Sequence, residues 1–287
     1  MMKPPQPFET RTTAWCPGCG NFGILAAAQK ALRKADIASE KVLLVGGIGQ
    51  ASKLPQYLVA NSLCTLHGRA LPAATGVKLA NTSLTVIAFC GDGDCYGEGG
   101  NHLIHAIRRN VDLTLVVHNN QVYGLTKGQA SPSSEPGFVT GAQPSGVTAR
   151  RLDGPNLAMA LGCEFVARGF SGLQDHLSWI IEQGLSHRGF SFIEVLQPCV
   201  SMNRVNTFAW YRSRISDVQK DLSYRTDDLA MALARARDWE KRIPVGILYQ
   251  REGMSFESRI PVLQGGPLAP MPVREIEKTR ALFQDFV

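Results

Sequence analysis

The chain has 287 residues, 44% of them hydrophobic and 19% charged, with a net charge of +6. That composition excludes a disordered or collagen-like polymer and gives ample core for one large or two small domains. The basic residues are spread without a run of five, which argues against nucleic acid and favours acidic ligands or an acidic electron-transfer partner. There is no apolar run of 18 residues, and the opening MMKPPQPFET has no apolar leader core. The expectation is a cytoplasmic protein that does not span or anchor in a membrane. Seven cysteines, an odd number, argue against a disulfide framework in such a chain. Cys90 and Cys163 stand in apolar runs and read as small core residues.

In chain order, Cys16-Pro17-Gly18-Cys19 comes first, ahead of a helical pattern over 22–32. Two thiolates on one turn suit zinc, an iron–sulfur cluster or a redox dithiol, and two alone do not complete a site. Residues 41–45 read as a buried strand running into the turn Gly46-Gly47-Ile48-Gly49, a ligand edge of the kind found in α/β sheets. His67 and Arg69 immediately precede a helical run over 70–79. There they can hold phosphate or polarise a carbonyl, or simply cap the helix and face solvent.

The segment 84–126 carries the clearest signal. An apolar run ends in Gly91-Asp92-Gly93, a helical stretch follows, and a second apolar run ends at Asn119-Asn120. That is a βαβ unit, and it brings Asp92 and Asn120 to the same crevice at the strands' carboxyl ends. Magnesium takes oxygen ligands and shares them with phosphates. Asp92 offers a carboxylate, Asn120 an amide oxygen and Val122 a carbonyl. Gly91 and Gly93 let backbone approach a diphosphate, whose charge the following helix N-terminus favours. GDG at 91–93 and NN at 119–120, separated by the 25 residues 94–118, resemble the diphosphate and magnesium motif of thiamine diphosphate enzymes.

After it, a polar, glycine-punctuated stretch runs to about 146 and reads as a lid or binding loop, with Lys127 its cation near the crevice. Alternation then resumes: helix over 157–161, strand over 163–167, helix over 173–185 and a last buried strand over 190–196. One sheet of five or six parallel strands is expected up to this point. Beyond it, Thr226, Asp227 and Asp228 read as the cap and first turn of a helix through Trp239. Residues 244–249 read as an edge strand. Pro-rich segments after Ile260 and a final charged helix read as an arm that wraps a partner subunit.

Six segments occur in order: WCPGCG, GIGQASKLPQY, LHGRALPAATGVKLAN, GDGDCYGEGGNHLIHAIRRN, NNQVYGLTKGQASP and QPCVSMN. Together they resemble the thiamine diphosphate-binding β subunit of the 2-oxoacid:ferredoxin oxidoreductases over nearly the whole chain. The resemblance implies an α/β thiamine diphosphate-binding fold, a parallel sheet flanked by helices. Residues 1–205 would form the thiamine diphosphate- and iron–sulfur-binding domain, and 206–287 a C-terminal arm packed on it and on a partner subunit. It implies Asp92, Asn120 and the Val122 carbonyl as Mg2+ ligands. Ile48, Gly49, Gly68, Arg69, Gly91, Gly93, Asp94, Leu125 and Thr126 would line the cofactor. His67, Lys53 and Lys127 would serve catalysis, the two lysines facing substrate. Cys16, Cys19 and Cys199 match three of the four ligands of a [4Fe-4S] cluster. The family's fourth cysteine falls at Gln50, and Cys64, where the family often has histidine, is the candidate for a relocated ligand. Otherwise a three-iron cluster, zinc or no metal could follow.

The implied reaction is CoA-dependent oxidative decarboxylation of a 2-oxoacid, or its reverse, with electrons passing through the cluster to ferredoxin. An α subunit would complete the cofactor site and supply the carboxylate that activates the aminopyrimidine, in an αβ heterodimer or its dimer. The β chain alone would be inactive. 2-Oxoglutarate is preferred over pyruvate because the short two-subunit form without a fused ferredoxin domain is common among its users. Three rival readings stand beside this one: a non-oxidative thiamine diphosphate-dependent decarboxylase subunit, a non-catalytic scaffold subunit, and a nicotinamide-binding protein. The last lacks a GxGxxG turn with a downstream acid.

Overall fold

The structure is a computed structural model and describes residues 6–269 and Arg280. Its centre is the predicted βαβ unit. In β3 (Thr85–Gly91) the apolar residues alternate: Val86, Ala88 and Cys90 enter one core while Ile87 and Phe89 enter another. The next strand, β4 (Leu113–Asn119), does the same with Leu113, Leu115 and Val117 against Val116. Side chains two apart share a face, so a strand buried on both sides reads as a continuous apolar run. That is why these strands stand out in the sequence.

Helices cover both faces. On one lie α1 (Asn21–Lys34) and α5 (Gln174–Ser186); on the other lie α2 (Ala70–Ala80), α3 (Gly100–Arg109), α4 (Gly154–Ala160) and α7 (Leu229–Ala236). Asp153 caps α4 by accepting from Asn156 N, and Asp228 caps α7 by accepting from Met231 N. The sheet also contains β1 (Val42–Gly46), β2 (Asn61–Cys64), β7 (Phe165–Phe170) and β8 (Phe190–Leu196). At its far side lie β9 (Ile215–Asp217) and β10 (Ile243–Gln250), while β5 (Val122–Tyr123) and β6 (Gln129–Ala130) form a separate ribbon and α6 (Phe208–Arg212) precedes β9. The order is β2-β1-β3-β4-β8-β7-β10-β9.

Three expectations change. The six strands from β2 to β7 are parallel, but the sheet has eight, because β10 adds antiparallel to β7 and β9 pairs parallel with β10. Strand β10 is therefore interior rather than an edge. Its residues enter three cores (Leu248 and Tyr249, Ile247, Ile243 and Val245), so both of its faces are covered. The helix after Asp92 does not begin as an α-helix: Gly93–Glu98 is wound as a π-helix before α3 starts, a widening common at functional sites. The helix capped by Asp228 ends at Ala236, short of Trp239. The final charged helix expected near the C-terminus falls outside the described residues apart from Arg280.

Register brings the carboxyl ends together at one sheet edge. Gly46 pairs with Phe89, Gly91 with His118, and Asn119 with Leu196. The turn after β1, Asp92, Asn120 and Gln197 therefore meet at one crevice.

Candidate cofactor and metal-binding site

A cavity of about 310 Å3 opens at this edge, lined by Asp92, Asn120 and Val122 together with Ile48, Gly49, Gly91, Gly93 and Asp94. Asp92 is 1% exposed, and its Oδ2 accepts from Ser131 Oγ and Ser133 Oγ. Burial pushes its carboxyl up to about 6, and the two serine hydroxyls pull the other way. Asn120 donates from Nδ2 to Gln197 Oε1 at 2.9 Å, and its Oδ1 accepts from Val122 N at 3.0 Å. Between them Gln121 holds φ +62°, a left-handed kink that a non-glycine residue adopts only where its surroundings enforce it.

Asp94 lines the cavity, yet its carboxylate is committed to the protein. Oδ1 accepts from Gly68 N (2.7 Å) and Ile48 N (3.2 Å), and Oδ2 from Ser52 Oγ (3.2 Å). It thus fastens the Gly46–Gly49 turn and the turn before α2 onto the π-helix. A Cβ on Gly47 would sit 2.0 Å from Asp94 Oδ2, so only glycine allows this approach. His67 lines the cavity with Nδ1 3.2 Å from Glu98 Oε2, and Glu98 Oε2 also accepts from Tyr123 OH at 3.2 Å. Leu125 and Thr126 are exposed at the mouth. Gly68 and Arg69 stand behind the wall: Arg69 Nη1 donates to the carbonyl of Glu98 at 3.1 Å and ties the same turn.

The donor set fits a magnesium-bound diphosphate. Asp92, Asn120 and Val122 line one cavity, and the carboxylate, amide and carbonyl oxygens they carry are the donor types a hard cation takes. Beside them Gly49, at φ +120°, has open space where a side chain would stand.

A second cavity, of about 140 Å3, is lined by Cys16, Cys19, Cys199, Gln50 and Lys127 among others, and it shares Gln50, Asn120, Gly124 and Leu125 with the first. Sequence positions 16, 19 and 199 are thus brought together. Burial pushes the Cys19 thiol up to about 11, and the neighbouring Cys199 and Cys16 add to it. Gln197 joins the two cavities: its Oε1 accepts from Asn120, and its Nε2 donates to Cys19 Sγ at 3.6 Å. Gln50 holds Trp15 Nε1 through its backbone carbonyl (2.8 Å), while its side-chain Oε1 is buried without a partner. A [4Fe-4S] cluster takes four thiolates, and this cavity presents three thiols and an amide. The four-thiolate set does not fit. Among the described residues no group of three or more His, Cys, Asp or Glu stands close enough to hold a metal ion.

Two proposed residues lie apart. Cys64 is exposed at the end of β2, its Sγ 3.8 Å from Gly47 O, and it lines neither cavity. Lys53 is half-buried on the 3-10 turn Ala51–Tyr57 and also lines neither. Lys127, at φ +81°, is exposed and reaches the cysteine cavity.

Several residues that support the site carry no motif of their own. Asn119 Oδ1 lies 2.8 Å from Ser133 Oγ as a second acceptor for the one hydroxyl proton that also faces Asp92, and its Nδ2 donates to Glu194 Oε2 (2.9 Å). Glu194 also accepts from Tyr96 OH (2.9 Å) and from Arg168 Nε (3.1 Å), with both Glu194 and Arg168 buried. Arg168 and Glu194 interrupt otherwise apolar strands, and that interruption was the available signal. Ser131 and Ser133 lie in a polar loop with no periodic pattern.

The sequence matches two family models: the C-terminal thiamine pyrophosphate-binding domain of thiamine pyrophosphate enzymes over residues 44–195, and the C-terminal region of pyruvate ferredoxin oxidoreductase beta subunits over 199–265. A 2-oxoacid:ferredoxin oxidoreductase subunit beta from Saccharolobus solfataricus is 45% identical over 258 residues, covering 86% of this chain and 85% of the relative. A 2-oxoglutarate synthase subunit KorB from Archaeoglobus fulgidus is 43% identical over 200 residues, covering 69% and 73%. Among solved structures, a chain of the 2-oxoglutarate:ferredoxin oxidoreductase of Magnetococcus marinus, with 2-oxoglutarate, coenzyme A and succinyl-CoA bound, superimposes with a TM-score of 0.89. It is 32% identical, and the match covers 98% of this chain and 96% of that one. With the crevice, the glycine turns and the Asp92–Asn120 pair all in place, the chain belongs to the β subunits of the 2-oxoacid:ferredoxin oxidoreductases.

Proposed function

We propose that this chain, with an α-subunit partner in an αβ heterodimer or its dimer, carries out CoA-dependent oxidative decarboxylation of a 2-oxoacid, or the reverse, with ferredoxin as electron carrier. 2-Oxoglutarate is the preferred substrate over pyruvate, supported by the KorB relatives and the Magnetococcus match. The observation that carries the reading is the shared wall: the oxygen-lined cavity and the cysteine cavity have Gln50, Asn120, Gly124 and Leu125 in common.

Asp92, Asn120 and the Val122 carbonyl would hold Mg2+ beside the diphosphate of thiamine diphosphate. When bound, that cofactor supplies the carbanion chemistry that lets a 2-oxoacid lose CO2. The chain's own residues bind and orient. Gly49 admits the cofactor to the backbone, Ile48 and Leu125 offer exposed apolar surface at the cavity, and His67 presents a ring to it. Lys127 places a cation at the cysteine cavity, beside the shared wall, where it attracts the substrate's carboxylate. The α subunit closes the open side of the cavity. Cytoplasmic location belongs to the same reading; no helix among the described residues is long and apolar enough to cross a membrane.

Cys16, Cys19 and Cys199 line one cavity with Gln50, which stands where the family's fourth cysteine falls, so an iron–sulfur cluster there would draw at most three thiolates from this chain. The missing thiolate also favours a second reading, a non-oxidative thiamine diphosphate-dependent decarboxylase. Intact Asp92 and Asn120 weigh against a pure scaffold. Iron, acid-labile sulfide and EPR on the anaerobically purified complex separate the two readings, together with rates on 2-oxoglutarate and pyruvate. A reducible cluster and CoA-dependent ferredoxin reduction support the oxidoreductase. Decarboxylation with neither iron nor ferredoxin reduction supports the rival.

A further inference from the structure

The loop that follows Val122 returns to the site through four residues, 131–134, and three of them are buried serines. Two metal-ligand candidates sit on different strands' ends, and this one segment bonds Asp92 directly and the residue next to Asn120. Ser131 Oγ and Ser133 Oγ both reach Asp92 Oδ2. Ser134 Oγ donates to Gln121 O at 2.5 Å, at the left-handed residue between Asn120 and Val122. The segment is itself braced: Ser131 N donates to Ser134 Oγ (2.9 Å) and Leu152 N to Pro132 O (2.8 Å). Ser133 Oγ also lies 2.8 Å from Asn119 Oδ1. The Nδ2 of Asn119 is bonded to Glu194, so the amide turns its oxygen towards the serine.

We infer that Ser131, Ser133 and Ser134 are positioning residues for the cation. The first two occupy one carboxylate oxygen of Asp92 and leave the other to the metal, while Ser134 sets the turn that aims Asn120 and the Val122 carbonyl. This rests on the cofactor reading above and deepens it. A carboxylate has about four lone-pair directions over its two oxygens, and two hydroxyls on Oδ2 fix which face stays open. Outer partners of this kind orient ligands, and losing one typically weakens metal binding about 10- to 100-fold. Because the three serines lie on the loop that carries Leu125, Thr126 and Lys127, the clamp also links an ordered loop to a filled metal site.

The test uses the full-length chain purified with its α subunit, stripped of divalent ions. Mn2+ is titrated in the presence of saturating thiamine diphosphate, and free Mn2+ is read by EPR. Ser133→Ala and Ser134→Ala should each raise the Mn2+ Kd by about 10- to 100-fold, and excess Mn2+ should restore thiamine diphosphate binding. Ser131→Ala, at the less buried of the two positions on Asp92, gives a milder version should Ser133→Ala fold poorly. Ser191→Ala is the control: that serine is fully buried and donates to Gly184 O (2.8 Å) away from the cavity. Its Kd should match the unsubstituted protein. Values within twofold of the unsubstituted protein in all three loop variants, or an equal rise in Ser191→Ala, overturn the positioning role. If the unsubstituted complex binds no Mn2+ with thiamine diphosphate, the cofactor reading fails, and the clamp with it.

Discussion

On one side of the shared wall, Asp92 and Asp94 together accept from three side-chain hydroxyls and two backbone amides. On the other side, the Gln50 amide oxygen is buried with no partner beside three free cysteines. The oxygen site is organised by the protein before anything binds. The sulfur site is one thiolate short of a closed set and leaves a polar atom waiting. Buried polar atoms are satisfied in most native structures; among the described residues the Gln50 amide oxygen has no partner, as does the Gln121 amide nitrogen beside Asn120. The two cavities thus differ in how much of their geometry the chain enforces and how much a bound group must supply.

The largest effect belongs to the organised side. Asp92→Ala removes the central carboxylate and should lower ferredoxin-linked activity by more than about 100-fold, beyond what loss of an outer partner brings. Thiamine diphosphate titration should show the loss in binding, and retained activity would break the comparison at its stronger end. Beneath it, Arg168→Met leaves buried Glu194 without its cation and should cost about 3–5 kcal/mol in denaturant unfolding. Pairing it with Glu194→Leu should recover part of that, since an apolar replacement of both partners is often close to neutral. Gly47→Ala forces a methyl against Asp94 and should cost about 1–3 kcal/mol, with a weakened cofactor site as its second readout. The smallest change tests the incomplete side. Gln50→Cys supplies the missing thiolate and should raise bound iron per chain and lengthen the cluster's EPR signal in air, with little change in thiamine diphosphate affinity. An unchanged iron content would remove Gln50 as the reason the set is open.

Much of this was legible without coordinates where chemistry and periodicity coincide. The strand–GDG–helix–strand–NN segment placed Asp92 and Asn120 correctly because a parallel unit leaves its strand ends at one edge. Cys16, Cys19 and Cys199 converge on one cavity although 179 positions separate Cys199 from Cys19 by no local pattern. What stayed hidden depends on long-range packing. Strand β10 reads as an edge from Pro244, yet its position between β7 and β9 follows from an antiparallel return that no local pattern encodes. The π-helical start after Asp92 has no periodic signature in so short a segment. Ser131 and Ser133 look like ordinary loop residues until the loop folds back onto Asp92. Cys64 and Gln50 are near in sequence, but only Gln50 lines the cavity.

The central claim is that one chain builds an oxygen-ligated cofactor cavity and a three-thiolate cavity that share a wall. Its most direct test is quantitative analysis of thiamine diphosphate, magnesium, iron and acid-labile sulfide in the same anaerobic preparation of the complex, before and after Gln50→Cys. The account predicts stoichiometric thiamine diphosphate and magnesium in both proteins, with iron and sulfide present in the first and raised by the substitution. Thiamine diphosphate and magnesium without any iron in either protein would contradict it.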